Sequence, residues 1–322
     1  MTVCTHPITR GDPSMRSRIW LLALLLINSC VSSSSVGTNP LENVELIGGP
    51  GRGVGRFFQP RAIESLPQQQ CIVIDRSGRA QRFDSAGNLK DVWMLPEWSA
   101  GHPIDLCATP EGTLLVADTH YMRIIEFDLD GTELRRFGED VGLELVRGID
   151  IAADGSILVA SYGEFDRVFR FDRQGNLMKI WGERGDGTGQ FLRPEGLAID
   201  VDGTVLVVDC GHHRVLRFTL DGEYLQTIGS AGRAAGQFAT PFDIDVVGDG
   251  SFVVVDKAGC RVQRFGVDGS LVAVVGGTGR GAGLLSEPRG VAVSRGGSVP
   301  RMLIADTGNH RVVASAIPGE AR

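Results

Sequence analysis

The chain has 322 residues, of which 44 are glycine, 22% are charged and 7% are aromatic. This composition is typical of many short strands joined by tight turns, and it disfavours coiled coils and disordered chains. The formal charge of −7 gives little nonspecific attraction to nucleic acid or anionic lipid, so we predict neither as a main partner.

The first thirty residues have the pattern of an export signal. Two arginines precede the apolar run IWLLALLLI (19–27), and nine apolar residues are too few for a membrane-spanning helix, which needs about 20. Residues 27–30 resemble a bacterial lipobox, in which the final cysteine, here Cys30, becomes lipidated. We predict a signal peptide over 1–30, with ordinary cleavage or lipidation of Cys30, and a protein exported to the periplasm or cell envelope.

The rest of the chain is a sixfold repeat. In the fourth copy, four short apolar stretches over 197–201, 205–209, 215–219 and 225–228 are separated by polar turns, two of them Asp-Gly, and predict four antiparallel strands. Four strands in every 40 to 50 residues is the pattern of a β-propeller blade, whereas a helical solenoid would need a 3.6-residue period. The copies align on the residue that ends the second apolar stretch: Asp75, Asp118, Ser161, Asp209, Asp256 and Asp306.

The two ends of the repeat region predict how the ring closes. The sixth copy lacks a fourth strand, while residues 43–60 match the end of the fourth copy at 224–241. We therefore predict an all-β, six-bladed propeller over 43–317 whose last blade is completed by the N-terminal strand Val44 to Ile47, which removes an exposed sheet edge. A flexible tether is predicted over 31–42 and a short tail over 318–322.

Several segments of the repeat resemble the NHL repeat. They are PEGLAID (194–200), the aspartates that end the second strands, and GNHRV (308–312). The resemblance spans 43–317 and weakens in the first copy, where RSGRAQRF (76–83) replaces the usual segment. It implies a six-bladed propeller, but similar proteins range from interaction modules to enzymes, so the fold does not decide the function. RNA binding, as in some animal NHL domains, needs a basic, aromatic face and is disfavoured by the negative charge.

Most of the chemically active residue types are explained by the repeat itself. An aspartate and an arginine five residues apart recur in four copies, which predicts a structural brace between hairpins. The histidines His120, His213 and His310 fall in alternate copies, so we interpret them as loop residues. Four cysteines have no CxxC spacing, which leaves disulfides and buried thiols both open. The pairs are Asp118 with Arg123, Asp209 with Arg214, Asp256 with Arg261 and Asp306 with Arg311, and the cysteines are Cys71, Cys107, Cys210 and Cys260.

The residues that open each innermost strand are the main site candidates, because they should face the mouth of the central channel. Amidating lyases, which resemble this fold, have zinc-binding histidines there, and this chain has none. We predict that Arg61, Arg147 and Arg289 converge to bind a carboxylate or phosphate. In this arrangement, Glu195 orients one of the arginines and Phe242 forms an apolar wall. The alternative is a satisfied rim network in which they pair with Glu195, Asp105, Asp150 and Asp243. The opening residues are Arg61, Ile104, Arg147, Glu195, Phe242 and Arg289.

Two hypotheses about function follow. The first is a noncatalytic, monomeric propeller of the cell envelope that binds a protein or a small anionic ligand, uses no cofactor, and contacts the membrane at most through a lipid anchor. The second is a metal-dependent hydrolase or lyase, lactonase-like or amidating-lyase-like, acting on a small exported substrate. Calcium or zinc would then be held by candidate carboxylates at the mouth: Glu195, Asp105, Asp150 and Asp243.

Overall fold

The fold was analysed in a computed structural model that describes residues 39–97, 101, 103–294 and 299–319. The predicted signal peptide, Cys30 and most of the predicted tether lie outside the described residues. Across the described ranges, no helix has the length and apolar character needed to cross a membrane.

The described chain is built from short strands with a few single-turn 3₁₀ helices. The strands in chain order are β1 (Glu45–Ile47), β2 (Pro60–Leu66), β3 (Gln70–Asp75), β4 (Arg79–Phe83), β5 (Leu89–Met94), β6 (Asp105–Ala108), β7 (Leu114–Asp118), β8 (Arg123–Phe127), β9 (Glu133–Phe137), β10 (Leu145–Ile151), β11 (Ile157–Tyr162), β12 (Arg167–Phe171), β13 (Leu177–Trp181), β14 (Pro194–Ile199), β15 (Val205–Asp209), β16 (Arg214–Phe218), β17 (Tyr224–Ile228), β18 (Pro241–Val246), β19 (Phe252–Asp256), β20 (Arg261–Phe265), β21 (Leu271–Gly276), β22 (Gly290–Val293), β23 (Arg301–Asp306) and β24 (Arg311–Ala316). The 3₁₀ helices are Pro67–Gln69, Thr119–Tyr121, Cys210–His212 and Thr307–Asn309.

These strands form six four-stranded antiparallel sheets, which are the blades of a propeller. The innermost strands β2, β6, β10, β14, β18 and β22 contact one another in turn around the ring. In blade four, the predicted strands are confirmed, although the first begins at Pro194. The strand pairing shifts register between Pro194 and Leu197, which allows Pro194 to pair with the second strand. The alternation of apolar and polar residues in so short a segment does not predict this shift.

The predicted ring closure is confirmed. Strand β1 pairs antiparallel with β24, with Ile47 opposite Val312 and Glu45 opposite Ala314. The strand begins at Glu45, one residue later than predicted, and Val44 packs against the hydrophobic core. Residues 39–42, the end of the predicted tether, also lie against the ring, because Leu41 is buried and its N–H donates to the Gly283 carbonyl at 3.0 Å.

The core lies between neighbouring blades because each inner and middle strand buries both of its faces. Six apolar clusters fill these gaps. The loops between blades each insert one buried side chain, and Phe238 is an example. This insertion requires glycine at 229, where φ is +77° and a β-carbon would lie 2.4 Å from Phe238.

The predicted aspartate and arginine braces are confirmed in all four copies. In blade five, Asp256 accepts a hydrogen bond from Arg261 Nε at 3.0 Å and from the backbone N–H of Thr240 at 2.8 Å. Arg261 also donates to the Gln237 carbonyl, so the pair ties the hairpin to the loop before its blade. Blade one has an equivalent pair, Arg79 with Asp75 at 2.7 Å, which the sequence did not reveal because its spacing is four. The other three pairs join Arg123 to Asp118, Arg214 to Asp209 and Arg311 to Asp306.

Candidate functional site

The structure brings the predicted mouth residues together at one end of the central channel. Arg61 lies in β2, Arg147 in β10 and Glu195 in β14, each just after the start of an innermost strand. Arg147 and Glu195 are buried, at 8% and 2% exposure, and Phe242 is buried at 6%. The same set therefore supplies positive charge, one carboxylate and one aromatic ring to a confined opening.

Two of these arginines have no hydrogen-bonding or ion-pair partner among the described residues. Arg61 and Arg289 are half-buried, and neither guanidinium makes a hydrogen bond or ion pair with any residue in the described ranges. Burial, with the charges of Arg289, Arg76 and Arg147, lowers the pKa of Arg61 to about 10. Burial also lowers the pKa of Arg289. Because the like charges of Arg61 and Arg289 repel each other, an anion bound at both guanidinium groups would offset that repulsion.

Glu195 holds two cations on the opposite side of the mouth. Its Oε1 accepts a hydrogen bond from Arg193 Nε at 2.8 Å, and its Oε2 lies 3.5 Å from Arg147 Nε, an ion pair too long for a good hydrogen bond. Arg147 donates to the Tyr162 hydroxyl, and its guanidinium carbon lies 4.6 Å from the Tyr162 ring centroid. Glu195 therefore contacts two arginines, whereas the sequence predicted that it orients one.

The ring of Phe242 packs against two cations. The guanidinium carbon of Arg289 is 5.0 Å from its ring centroid, and Lys257 Nζ is 5.9 Å from it. Both distances are within the range of cation–π attraction, which is stronger for desolvated cations. The ring therefore fixes two cations at the mouth, and burial lowers the pKa of Lys257.

Four residues of the mouth were missed by the sequence reasoning: Tyr162, Arg193, Lys257 and Glu287. Their positions in the repeat could have identified them, because the opening proline of a blade pairs with the aspartate that ends the second strand, as Pro194 does with Asp209 and Pro241 with Asp256. Residues just before the proline and just after the aspartate then lie next to the mouth.

Arg193 is held in an unusual backbone conformation. Its φ is +61°, and Gln59 and Glu287, which also precede opening prolines, have φ of +54° and +44°. Such values are uncommon for non-glycine residues, and proline favours extended conformations before it. Asp166, which is 1% exposed, accepts the Arg193 backbone N–H at 2.8 Å. This buried contact helps to hold the Arg193 side chain over the channel.

The other candidate carboxylates lie deeper and are bonded to backbone. Asp105 accepts the N–H of Ile149 at 3.0 Å, and Asp243 accepts the N–H of Val291 at 2.8 Å. Asp150 accepts the N–H of Ile199 at 2.8 Å. Each carboxylate therefore satisfies a donor on the inner edge of the next blade, where no further strand pairs. With Asp245, they line a channel cavity of about 320 Å³.

Burial changes the ionisation of this deeper ring. It raises the pKa of Asp243 to about 7, and burial with the charge of Asp243 raises the pKa of Asp105. The folded protein thus keeps a proton on Asp243 that the unfolded chain releases near its ordinary pKa of about 3.9. The stability from this retained proton is complete below that value and is lost as the pH rises through about 7.

We expect Asp243→Asn to raise the melting temperature more at pH 8 than at pH 5, because the neutral amide removes a desolvated charge that forms only at the higher pH. Thermal unfolding at the two pH values measures this difference. Asp268→Asn is the control, since hydrogen bonds from Ser270 lower the pKa of that exposed carboxyl and its effect should be equal at both values. An equal shift for Asp243→Asn would contradict the assignment.

The described residues contain no group of three or more histidine, cysteine, aspartate or glutamate side chains arranged to hold a metal ion. His310 accepts the Gln59 backbone N–H through Nδ1 at 3.1 Å and stacks on Phe58. His213 has a left-handed backbone at the end of a 3₁₀ helix. The four cysteines of the repeat are buried free thiols, and burial raises the pKa of Cys71 to about 12.

Comparison with known proteins supports the fold. The family model described as "NHL repeat" matches residues 191–218, and no curated protein sequence matches the chain. Similar solved structures include a putative gluconolactonase, with 16% identity, a TM-score of 0.65 and coverage of 84% of this chain and 91% of that one. The calcium-binding protein regucalcin from Agrobacterium tumefaciens has 13% identity, a TM-score of 0.61 and coverage of 84% and 94%. Virginiamycin B lyase from Staphylococcus aureus has 12% identity, a TM-score of 0.57 and coverage of 85% and 88%.

At these identities the likeness concerns the fold alone, and neither ligand nor reaction is carried across. The repeat match falls in blade four, and the six described blades close into one ring. The chain is therefore a six-bladed β-propeller that contains an NHL repeat.

Proposed function

We propose that this propeller is a binding protein that captures a small anionic ligand at the mouth of its channel. The observation that carries the proposal is the pair Arg61 and Arg289, two half-buried guanidinium groups that make no hydrogen bond or ion pair with the described residues. A buried charge without a partner is costly, and charge-assisted bonds to a carboxylate or phosphate would offset that cost.

The electrostatics of the surroundings favour an anion over a cation. Arg147, Arg193 and Lys257 add positive charge, while the carboxylates whose charges act on Arg193, Lys257 and Arg289 are Glu195 and Glu287. Cations thus outnumber carboxylates at the mouth. Confinement strengthens each interaction because the effective dielectric constant is lower than in water.

The metal-dependent alternative has less support from the donor set. Asp105, Asp150 and Asp243 each accept a backbone N–H from the next blade, and Glu195 is engaged by arginines. A cation bound by these groups would compete with contacts that hold the ring together. The predicted export signal supports a location in the cell envelope, where such a protein would meet small exported anions.

The test is isothermal titration of the protein with phosphate, acetate, succinate and citrate at low ionic strength. We expect binding of at least one anion and a loss of at least about 100-fold in affinity for Arg61→Ala/Arg289→Ala, since each charge-assisted bond contributes about 1.5–3 kcal/mol. The matched control is Lys90→Ala/Arg233→Ala, which removes two positive charges from exposed positions and should retain full affinity. Unchanged binding by the mouth variant, or no binding by the wild-type protein, would refute the proposal.

A further inference from the structure

The cations of the mouth form two separate groups. The first group contains Arg61, Arg289 and Lys257, which belong to blades one, six and five. The second group contains Arg147 and Arg193, next to the start of blades three and four. In the first group, Arg289 and Lys257 lie over the Phe242 ring, and in the second group, Arg147 and Arg193 lie over the Tyr162 ring.

The two groups act on each other through space. The charge of Arg147 lowers the pKa of Arg61, and the charges of Arg147 and Arg193 contribute to the lowered pKa of Arg289. In a six-bladed ring, blades three and six lie opposite each other. The positive groups therefore face one another across one opening, and a single small anion on one side would leave the other side uncompensated.

The groups also differ in how far the protein neutralises them. In the second group, the buried carboxylate of Glu195 contacts both Arg193 and Arg147, so two cations share one anion. In the first group, the charges of Glu195 and Glu287 act on Arg289 and the charge of Glu287 acts on Lys257, but neither Arg289 nor Arg61 forms an ion pair within the described ranges. Both groups keep a net positive charge, and the first keeps more.

Resting on the proposed function, we propose that the ligand carries two separated anionic groups, such as a dicarboxylate, and spans the mouth. One carboxylate lies on Arg61 and Arg289, and the second lies on Arg193, whose side chain is 53% exposed and reachable from solvent. Arginine suits both positions because its planar fork matches a carboxylate.

The experiment titrates the protein at pH 7.5 with malonate, succinate, glutarate and adipate, and each diacid is compared with its monomethyl ester. Each pair differs by one charge at nearly constant size. We expect the best-fitting dicarboxylate to bind at least about 10-fold more tightly than its ester, as one charge-assisted bond would give. Arg193→Ala should lower the dicarboxylate affinity to that of the ester and leave the ester unchanged. Arg61→Ala should weaken both.

Thermal unfolding of each variant tests whether it is folded. We expect Arg193→Ala to fold, because the Arg193 side chain is exposed. If diacid and ester bind the wild-type protein equally well and Arg61→Ala/Arg289→Ala still abolishes binding, the proposal of a ligand with two anionic groups is refuted. The proposed anion site would remain supported. Inorganic phosphate binding as tightly as the best dicarboxylate would refute the ligand with two anionic groups in the same way. Absence of binding by every carboxylate and by phosphate would remove the proposed function itself.

Discussion

Deleting residues 43–48 should lower the melting temperature by at least about 10 °C. The deletion removes β1, whose three residues pair with β24, and exposes the cluster that buries Ile47. Burial of an isoleucine side chain contributes about 1.5–3 kcal/mol, and a ladder hydrogen bond contributes about 1 kcal/mol. For a domain of this size, each kcal/mol changes the melting temperature by about 2–4 °C.

Calorimetry of the deletion variant measures this loss. The control is Leu46→Thr, because that side chain is 51% exposed and threonine keeps the strand backbone and its propensity. We expect a change of less than about 2 °C for the control, as for other surface substitutions. An intact transition after the deletion would mean that the ring does not depend on β1 for closure.

Asp256→Ala should destabilise the fold by about 3–5 kcal/mol, the usual cost of removing one partner of a buried ion pair. Asp256 is fully buried and accepts hydrogen bonds from Thr240, Ala239 and Arg261. Alanine leaves the Arg261 guanidinium buried at 6% side-chain exposure without its counter-charge. Denaturant unfolding, with the midpoint and slope compared to wild type, measures the loss.

Blade three provides the matched control for this substitution. Ser161 occupies the position of Asp256, and its hydroxyl accepts the Glu144 backbone N–H at 3.0 Å. Ser161→Ala removes a neutral hydrogen bond and should cost about 1 kcal/mol. Similar losses for the two alanine variants would show that the ion pair adds nothing to the brace beyond the hydrogen bond.

The blade count, the strand order within a blade and the closure by β1 could all be predicted from the sequence. Each is a consequence of a repeat, and a repeated unit needs one packing solution that recurs. The braces were predictable for the same reason, as the pair Asp209 and Arg214 shows. The brace in blade one was not, because a shorter turn between Asp75 and Arg79 changes the spacing, although the ion pair is kept.

The site was predictable in part. A residue's position in the repeat places it at the mouth, so Arg61, Arg147 and Arg289 could be selected by alignment of the copies. The partners of these residues could not, because they depend on how the strand ends of neighbouring blades are placed in the closed ring. Thus Glu195 contacts Arg193 of its own blade and Arg147 of the blade before it.

The sequence by itself determined the architecture of this protein, since hydrophobic alternation and turn residues act locally and recur in every blade. The tertiary structure decided which polar groups are satisfied. It places Asp105, Asp150 and Asp243 against backbone donors of the next blade, while it leaves the guanidinium groups of Arg61 and Arg289 without a hydrogen bond or ion pair among the described residues. The physical reason is that satisfaction of a charge depends on distance and burial, which exist only once the ring has closed.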